Sequence, residues 1–246
     1  MNYNKSLFFI CQSLKLPLYS DNLQKTRNGL EKKLIESANV NFPKHVLSHI
    51  HYILQTEQPK SLVNSNLLPK NKYSCSLWKG DITTLRVHAI VNAANKYGVG
   101  CFVYGHKCID NIIHQKAGPL LRTECSELMK HKKIISTGDA IVTKGYMLPC
   151  KYIIHVVGPI YNEDNNPIQN LKKCYIACLN KCRKNNCHSI AFCCISTGIF
   201  GFPKKIASKI AVQTVYEWIQ KNNYFIHVIF CVYSDIDHHI YANEIL

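Results

Sequence analysis

Apolar and polar positions change period at about residue 73, and that change divides the chain. Upstream, Leu23, Leu30, Leu34 and Ile35 recur near helical spacing, as do Val46, Leu47, Ile50, Ile53 and Leu54. Asn41-Phe42-Pro43 and the stretch around Pro59 punctuate this pattern. The segment predicts two or three short helices. Downstream, short apolar runs alternate with helical patterns. The runs predict strands over 74–78, 89–92, 139–143, 152–157, 189–195 and 226–232. Helices are predicted over 109–116, 120–130, 168–184 and 204–221. Several runs are continuously apolar, as strands covered on both faces must be. The expected class is α/β, with a parallel or mixed sheet between helix layers.

Ligands of such sheets sit outside the carboxyl ends of the strands. The loops after Val91, Val157 and Ile195 all leave apolar strands at that end, which points to one cleft. The densest candidate chemistry lies in Val91–His114, VNAANKYGVGCFVYGHKCIDNIIH. It combines asparagines, glycines, Cys101, His106, Cys108 and then Asp110 at the head of a helical pattern. Cys101, His106 and Cys108 are ligand types for Zn2+, and three protein ligands leave a fourth position open. Without a CxxC partner, two loop thiols and an exposed histidine fit the same residues.

Gly80-Asp81-Ile82-Thr83 places a carboxylate just past a strand. It could accept from a ligand amino group or act as a local turn cap. Ser196-Thr197-Gly198-Ile199-Phe200-Gly201-Phe202-Pro203 suits phosphate binding. Glycines let a backbone wrap closely on an anion, and Pro203 marks a helix start near N1. It is not a nucleotide P-loop, because no Lys-Ser/Thr pair follows. Phe200 and Phe202 could stack on a ligand or fill the core. Cys174, Cys178 and Cys182 resemble a metal array, but their spacing of four fits a helix packing small side chains on the sheet. His155 reads as a satisfied core histidine, and His238-His239 as surface.

Composition narrows the partners. The formal charge is +15 over 246 residues. Such a balance first suggests nucleic acid. However, the basic residues are dispersed, so an anionic small ligand or acidic protein partner fits equally well, and nucleic acid is not the expected partner. Thirteen scattered cysteines argue against a secreted disulfide framework. The N-terminal apolar patch is too short for a signal peptide, and no run is long enough to span a bilayer. A cytoplasmic monomer is expected.

Five ordered motifs, LWKGDIT, AIVNAAN, IDNIIHQKAGPLL, GDAIVTKGYMLPCKYIIHVVGP and ISTGIFGFP, resemble the macrodomain family. The segment GCFVYGHKCIDNIIH further resembles its zinc-containing subfamily, with Tyr104 where that pattern has Pro. The resemblance implies a three-layer α/β/α sandwich with a mixed sheet over residues 73–246, and a helical N-terminal extension over residues 1–72. It implies ADP-ribose as ligand. Asp81 and Ile82 would meet the adenine. Ser196, Thr197, Gly198, Ile199, Phe200 and Gly201 would wrap the diphosphate, and Asn95 would hold the distal ribose. Cys101, His106 and Cys108 would bind one Zn2+ per chain, and Asp110 would lie near the scissile bond, with Asn95 and Asp110 the catalytic pair. The implied activity is removal of mono-ADP-ribose from protein side chains. A lipoyl-carrier protein is the implied substrate and a sirtuin-like ADP-ribosyltransferase the implied partner. The competing expectation is a module that binds ADP-ribose without cleaving it, with a structural zinc.

Overall fold

The computed structural model describes residues 1–37, 42–59 and 61–245; Asn41 of the punctuating triplet lies outside them. Three helices come first: α1 (Tyr3–Ser13), α2 (Leu23–Glu36) and α3 (Lys44–Thr56). The periodic Leu/Ile positions expected from sequence are their buried faces. Leu7, Ile10, Leu30, Val46, Ile50 and Ile53 form one apolar cluster. Glu57, just past α3, joins the helices. It accepts from Tyr3 Oη and from Arg27, whose Nη2 lies 2.7 Å from Oε2.

The α/β part follows: β1 (Val63–Asn64), β2 (Cys75–Lys79), β3 (Leu85–Ala93), α4 (Ile109–Ala117), α5 (Pro119–Lys132), β4 (Ala140–Lys144), β5 (Cys150–Val156), α6 (Pro167–Lys184), β6 (Ser189–Phe192), α7 (Lys204–Asn222), β7 (His227–Val232) and α8 (Asp235–Ile245). The main strand order is β2-β7-β6-β3-β5-β4, with β1 paired to the start of β3. All pairs are parallel except β4 with β5. The expected mixed sheet with flanking helices is therefore what forms.

Why the strands read as continuous apolar runs is clear in β7. Val228, Phe230 and Val232 enter the core under α6 and α7. Ile229 and Cys231 enter the opposite core, against α4 and α5. Alternation persists, but both faces are dry. Cys174, Cys178 and Cys182 are fully buried in the first core. Cys174 Sγ donates to Asn170 O and Val157 O, so the four-residue spacing is helix packing.

The sequence reading did not anticipate β1, α8 or the helix formed by residues 3–13. β1 has two residues, and α8 buries only Tyr241. Neither leaves a periodic signal. The N-terminal helices pack on the α4–α5 side of the sandwich. A Cβ on Gly118, which joins α4 to α5 at φ +86°, would come 3.0 Å from Leu54 Cδ1.

Glu57→Ala is expected to lower stability by about 1–3 kcal/mol, because it leaves the half-buried Arg27 guanidinium with only Glu31, 3.7 Å from Nη1, and removes the acceptor of Tyr3 Oη. Chemical denaturation monitored by circular dichroism would check this.

Candidate active site

Parallel strands put the ends of β2, β3, β5 and β6 at one edge, and the loops flagged in the sequence meet there. Ala94 N donates to Val156 O at 2.9 Å. Gly158 after β5 abuts Ser196 after β6. A Cβ on it would come 2.1 Å from Ser196 Oγ, so only glycine fits. Tyr161 N donates to Phe200 O at 2.9 Å, closing the same two loops together.

Loop 196–201 is shaped as an anion cradle. Ser196 is held at φ 65°, a conformation rare for a residue with a Cβ. Its Oγ is buried without a partner among the described residues. Phe202 N donates to Ser196 O, and Gly201 N to Gly198 O. The N–H groups of Gly198, Ile199 and Phe200 meet no backbone carbonyl among the described residues. Pro203 is the residue before α7, one position earlier than expected, and no side chain caps that helix. Its free N–H groups add a positive end to the cradle. Ile199 is 75% exposed. Phe202 is core, edge-on to Tyr161 at 4.8 Å.

Asp81 lies across the sheet edge. Its Oδ1 accepts from Thr83 N at 2.9 Å and Thr83 Oγ1 at 2.7 Å, capping the short turn Ile82–Thr84. Ile82 is buried against α4-side residues.

The centre of the site is Asp110, in the first turn of α4 and 4% exposed. Asn92 Nδ2 donates to its Oδ1 at 2.7 Å, and Asn95 Nδ2 to its Oδ2 at 3.3 Å. Burial pushes the carboxyl up to about 6, opposed by the Asn92 hydrogen bond and by the Arg122 and His106 charges. Asn95 Nδ2 also donates to Gly100 O at 3.1 Å. Behind Asn92 stands His155, fully buried. Asn92 Nδ2 also donates to His155 Nδ1, at 3.0 Å, so Nε2–H donates to Thr143 Oγ1 at 2.9 Å. That tautomer is neutral, and burial pulls the imidazole down to about 3.

The thiols and imidazole lie in the same loop. Cys101 Sγ is 3.3 Å from His106 Nδ1, and donor atoms of Cys101, His106 and Cys108 all lie within 4.8 Å of one another. Cys108 caps α4, accepting from Asn111 N at 3.3 Å. Asn111 Nδ2 donates to Val103 O at 2.7 Å, pinning the loop from the helix. Burial, followed by the neighbouring Cys101 and Asp110 charges, lifts the Cys108 thiol to about 11 against the Asn111 N–H. A bound cation would reverse this, since metal ligation deprotonates a thiol. His114, Cys125 and His155 form a second, buried group within 4.8 Å. Asn92 and Thr143 occupy both nitrogens of His155, so His155 has no lone pair to offer a metal, which leaves His114 and Cys125 as two potential ligands rather than a shell.

Sequence reasoning did not single out Asn92, His114 or Arg122. Asn92 is a polar residue ending an apolar strand. His114 is one helical turn after Asp110, its Nε2 3.6 Å from the carboxylate. Arg122 is a lone cation on the buried face of α5.

A sequence profile described as Macro domain matches residues 91–211. A protein-ADP-ribose hydrolase of Staphylococcus aureus (strain MSSA476) is 45% identical over 169 residues, covering 67% of this chain and 64% of the relative. The chain thus spans slightly under two thirds of that relative's length. The Oceanobacillus iheyensis macrodomain solved with ADP is 34% identical, with a TM-score of 0.65, covering 69% of this chain and 88% of that one. The Trypanosoma brucei macrodomain in complex with ADP-ribose is 28% identical, with a TM-score of 0.69, covering 86% and 94%.

The buried histidines set an acid limit. His155, depressed from 6.5 to about 3, binds a proton more readily unfolded than folded. This contribution to stability is fully present above pH 6.5 and is lost as pH drops through the 6.5-to-3 window, by up to about 1.4 kcal/mol per pH unit, against an opposite slope from Asp110, whose raised carboxyl favours the fold at lower pH. His155→Gln can still accept from Asn92 and donate to Thr143, and is expected to flatten that slope in urea titrations at stepped pH.

Proposed function

The chain belongs to the macrodomain family, and on that premise we propose that it is a zinc-dependent protein-ADP-ribose hydrolase that removes mono-ADP-ribose from modified protein side chains. The observation that carries this reading is the convergence, within residues 92–110, of a buried carboxylate, the Asn92 and Asn95 amides and a thiol–imidazole–thiol set. The name of the Staphylococcus aureus relative and the ADP-ribose bound to the Trypanosoma brucei macrodomain support the substrate class. The reading takes residues 73–246 as the macrodomain and 1–72 as its helical extension. No helix among the described residues is long and apolar enough to cross a membrane, and the proposed place of action is the cytoplasm. The proposed substrate is an ADP-ribosylated lipoyl-carrier protein, modified by a sirtuin-like transferase.

Each residue has a task in this reading. The N–H groups of loop 198–200 and the open start of α7 take the diphosphate. Asp81, through the carboxylate oxygen not facing Thr83, accepts from the adenine amino group, with Ile82 beneath it. Asn95 orients the distal ribose. Hydrolysis breaks the bond between the ribose C1 and the protein oxygen or nitrogen, adds a water oxygen to C1 and returns a proton to the leaving side chain. With its carboxyl at about 6, Asp110 is largely ionised at neutral pH and can position the water or accept its proton. Cys101, His106 and Cys108 fit Zn2+, because they bring two sulfurs and one nitrogen within 4.8 Å and leave a coordination position open. Zinc held there supplies Lewis acidity at neutral pH.

Metal analysis of the purified protein, with release of label from an ADP-ribosylated carrier followed with and without chelator, tests the reading. One zinc per chain is expected, with turnover abolished in Cys101→Ala and His106→Ala. Full turnover by zinc-free protein would defeat the zinc requirement. Tight ADP-ribose binding with no label released would leave a reader module in place of an enzyme. Asp110→Asn is expected to slow release by about 100-fold or more while calorimetry still detects ADP-ribose binding.

A further inference from the structure

Arg122 links the metal-type loop to the N-terminal helices. Arg122 sits in the first part of α5, 6% exposed. Its Nη1 donates to the carbonyls of Leu34, Ile35 and Ser37, the last turn and end of α2. Those carbonyls have no partner within their own helix, and together they form its negative end. The other arm of the guanidinium, Nη2, donates to Cys101 O at 3.2 Å. Its flat face lies over the Phe102 ring, 4.4 Å from the centroid. Among the described residues it makes no ion pair with a carboxylate, and the Asp110 charge acts on it from farther off. The charge is met by carbonyls on one side and by the loop on the other. A cavity of about 30 Å³ beside it is lined by Ile35, Ser37, His114 and Arg122. Arg122 Nε and both His114 nitrogens are buried without hydrogen-bond partners among the described residues.

This arrangement needs a fork. A lysine ammonium could reach the α2 carbonyls or the Cys101 carbonyl, but it lacks the planar arms that serve both at once. Loop 94–108 forms no helix or strand, so side-chain donors add to its few backbone bonds, such as His106 N to Val103 O, in fixing its position.

We infer that Arg122 is a positioning residue that couples the N-terminal helices to the Cys101–Cys108 loop, making that extension a working part of the site. One readout of this inference rests on the zinc reading above, and the other does not.

The test uses the full chain carrying Arg122→Met or Arg122→Lys. Zinc affinity is measured by competition with a chelating dye. The alkylation rate of Cys101 and Cys108 by iodoacetamide is followed in metal-free protein by peptide mass spectrometry, with buried Cys178 as the internal reference. ADP-ribose binding and circular dichroism report an intact fold. Zinc affinity is expected to fall about 10–100-fold, as when a group supporting a metal ligand is removed. Alkylation of Cys101 should rise at least about threefold as the loop opens more often, with Cys178 unchanged. Wild-type zinc affinity and wild-type alkylation in both variants would overturn the inference. Should the unaltered protein bind no zinc, the zinc reading fails and the alkylation rates alone decide the role of Arg122. Should Arg122→Met fail to fold, Arg122→Lys decides, since it keeps the charge and the apolar stem.

Discussion

A carboxylate sealed under the edge of an apolar sheet costs several kcal/mol unless hydrogen-bond donors meet it. Asp110 is such a group, and the surrounding residues are arranged around that cost. Asn92 answers it from the end of β3 and Asn95 from the following loop. Asn92 is itself fixed by His155 on β5, and His155 by Thr143 on β4. A row of polar side chains therefore crosses three strands that are otherwise dry. Each member sets the donor or acceptor role of the next. Any one left unpaired would be a buried polar group without compensation. Compensation is incomplete by design of the site: Asp110 stays near 6 rather than at an ordinary carboxylate value.

The same row explains why His114, Cys125 and His155 should not be read as metal ligands although their donor atoms are close. A ligand histidine needs a free lone pair facing the metal. Here Asn92 takes the Nδ1 lone pair and Thr143 takes the Nε2 proton. In the Cys101–Cys108 loop the competition is weaker: Asn111 donates to Cys108 Sγ at 3.3 Å and to Cys101 Sγ at 3.9 Å, but a thiolate keeps further lone pairs, and Cys101 Sγ and His106 Nδ1 face one another. Proximity is common to both groups, and hydrogen-bond accounting separates them.

Much of this was legible in the sequence because it is local. Continuous apolar runs such as HVIFCV marked strands whose alternate residues fill two cores. The four-residue cysteine spacing in α6 was helix packing, and His155 was a satisfied core residue. The strand-end loops were legible because parallel topology forces them to one edge. The missed parts are long-range or aperiodic. Asn92 meets a histidine 63 residues later, and Arg122 reaches carbonyls 85 to 88 residues earlier. Nothing in a local window distinguishes such a residue from an ordinary surface arginine. α8, with only Tyr241 buried, has no apolar stripe to read.

The loop between β3 and α4 shows how a segment without ladder hydrogen bonds can still be specific. Its backbone carbonyls are gripped one at a time by side chains, one from the loop and two from the following helices: Gly100 O by Asn95, Cys101 O by Arg122 and Val103 O by Asn111. Gly100, at φ +88°, lies so close over the His114 ring that a Cβ would come within 2.9 Å. Glycine there is required by that contact as well as by the backbone angle. The thiols and imidazole are consequently placed by donors from α4 and α5 together with Asn95 of the loop itself and the loop's own backbone bonds, Gly98 N to Asn95 O and His106 N to Val103 O. Because those donors include the carboxylate's own partner, Asn95, the geometry of the ligand set and that of Asp110 cannot vary independently.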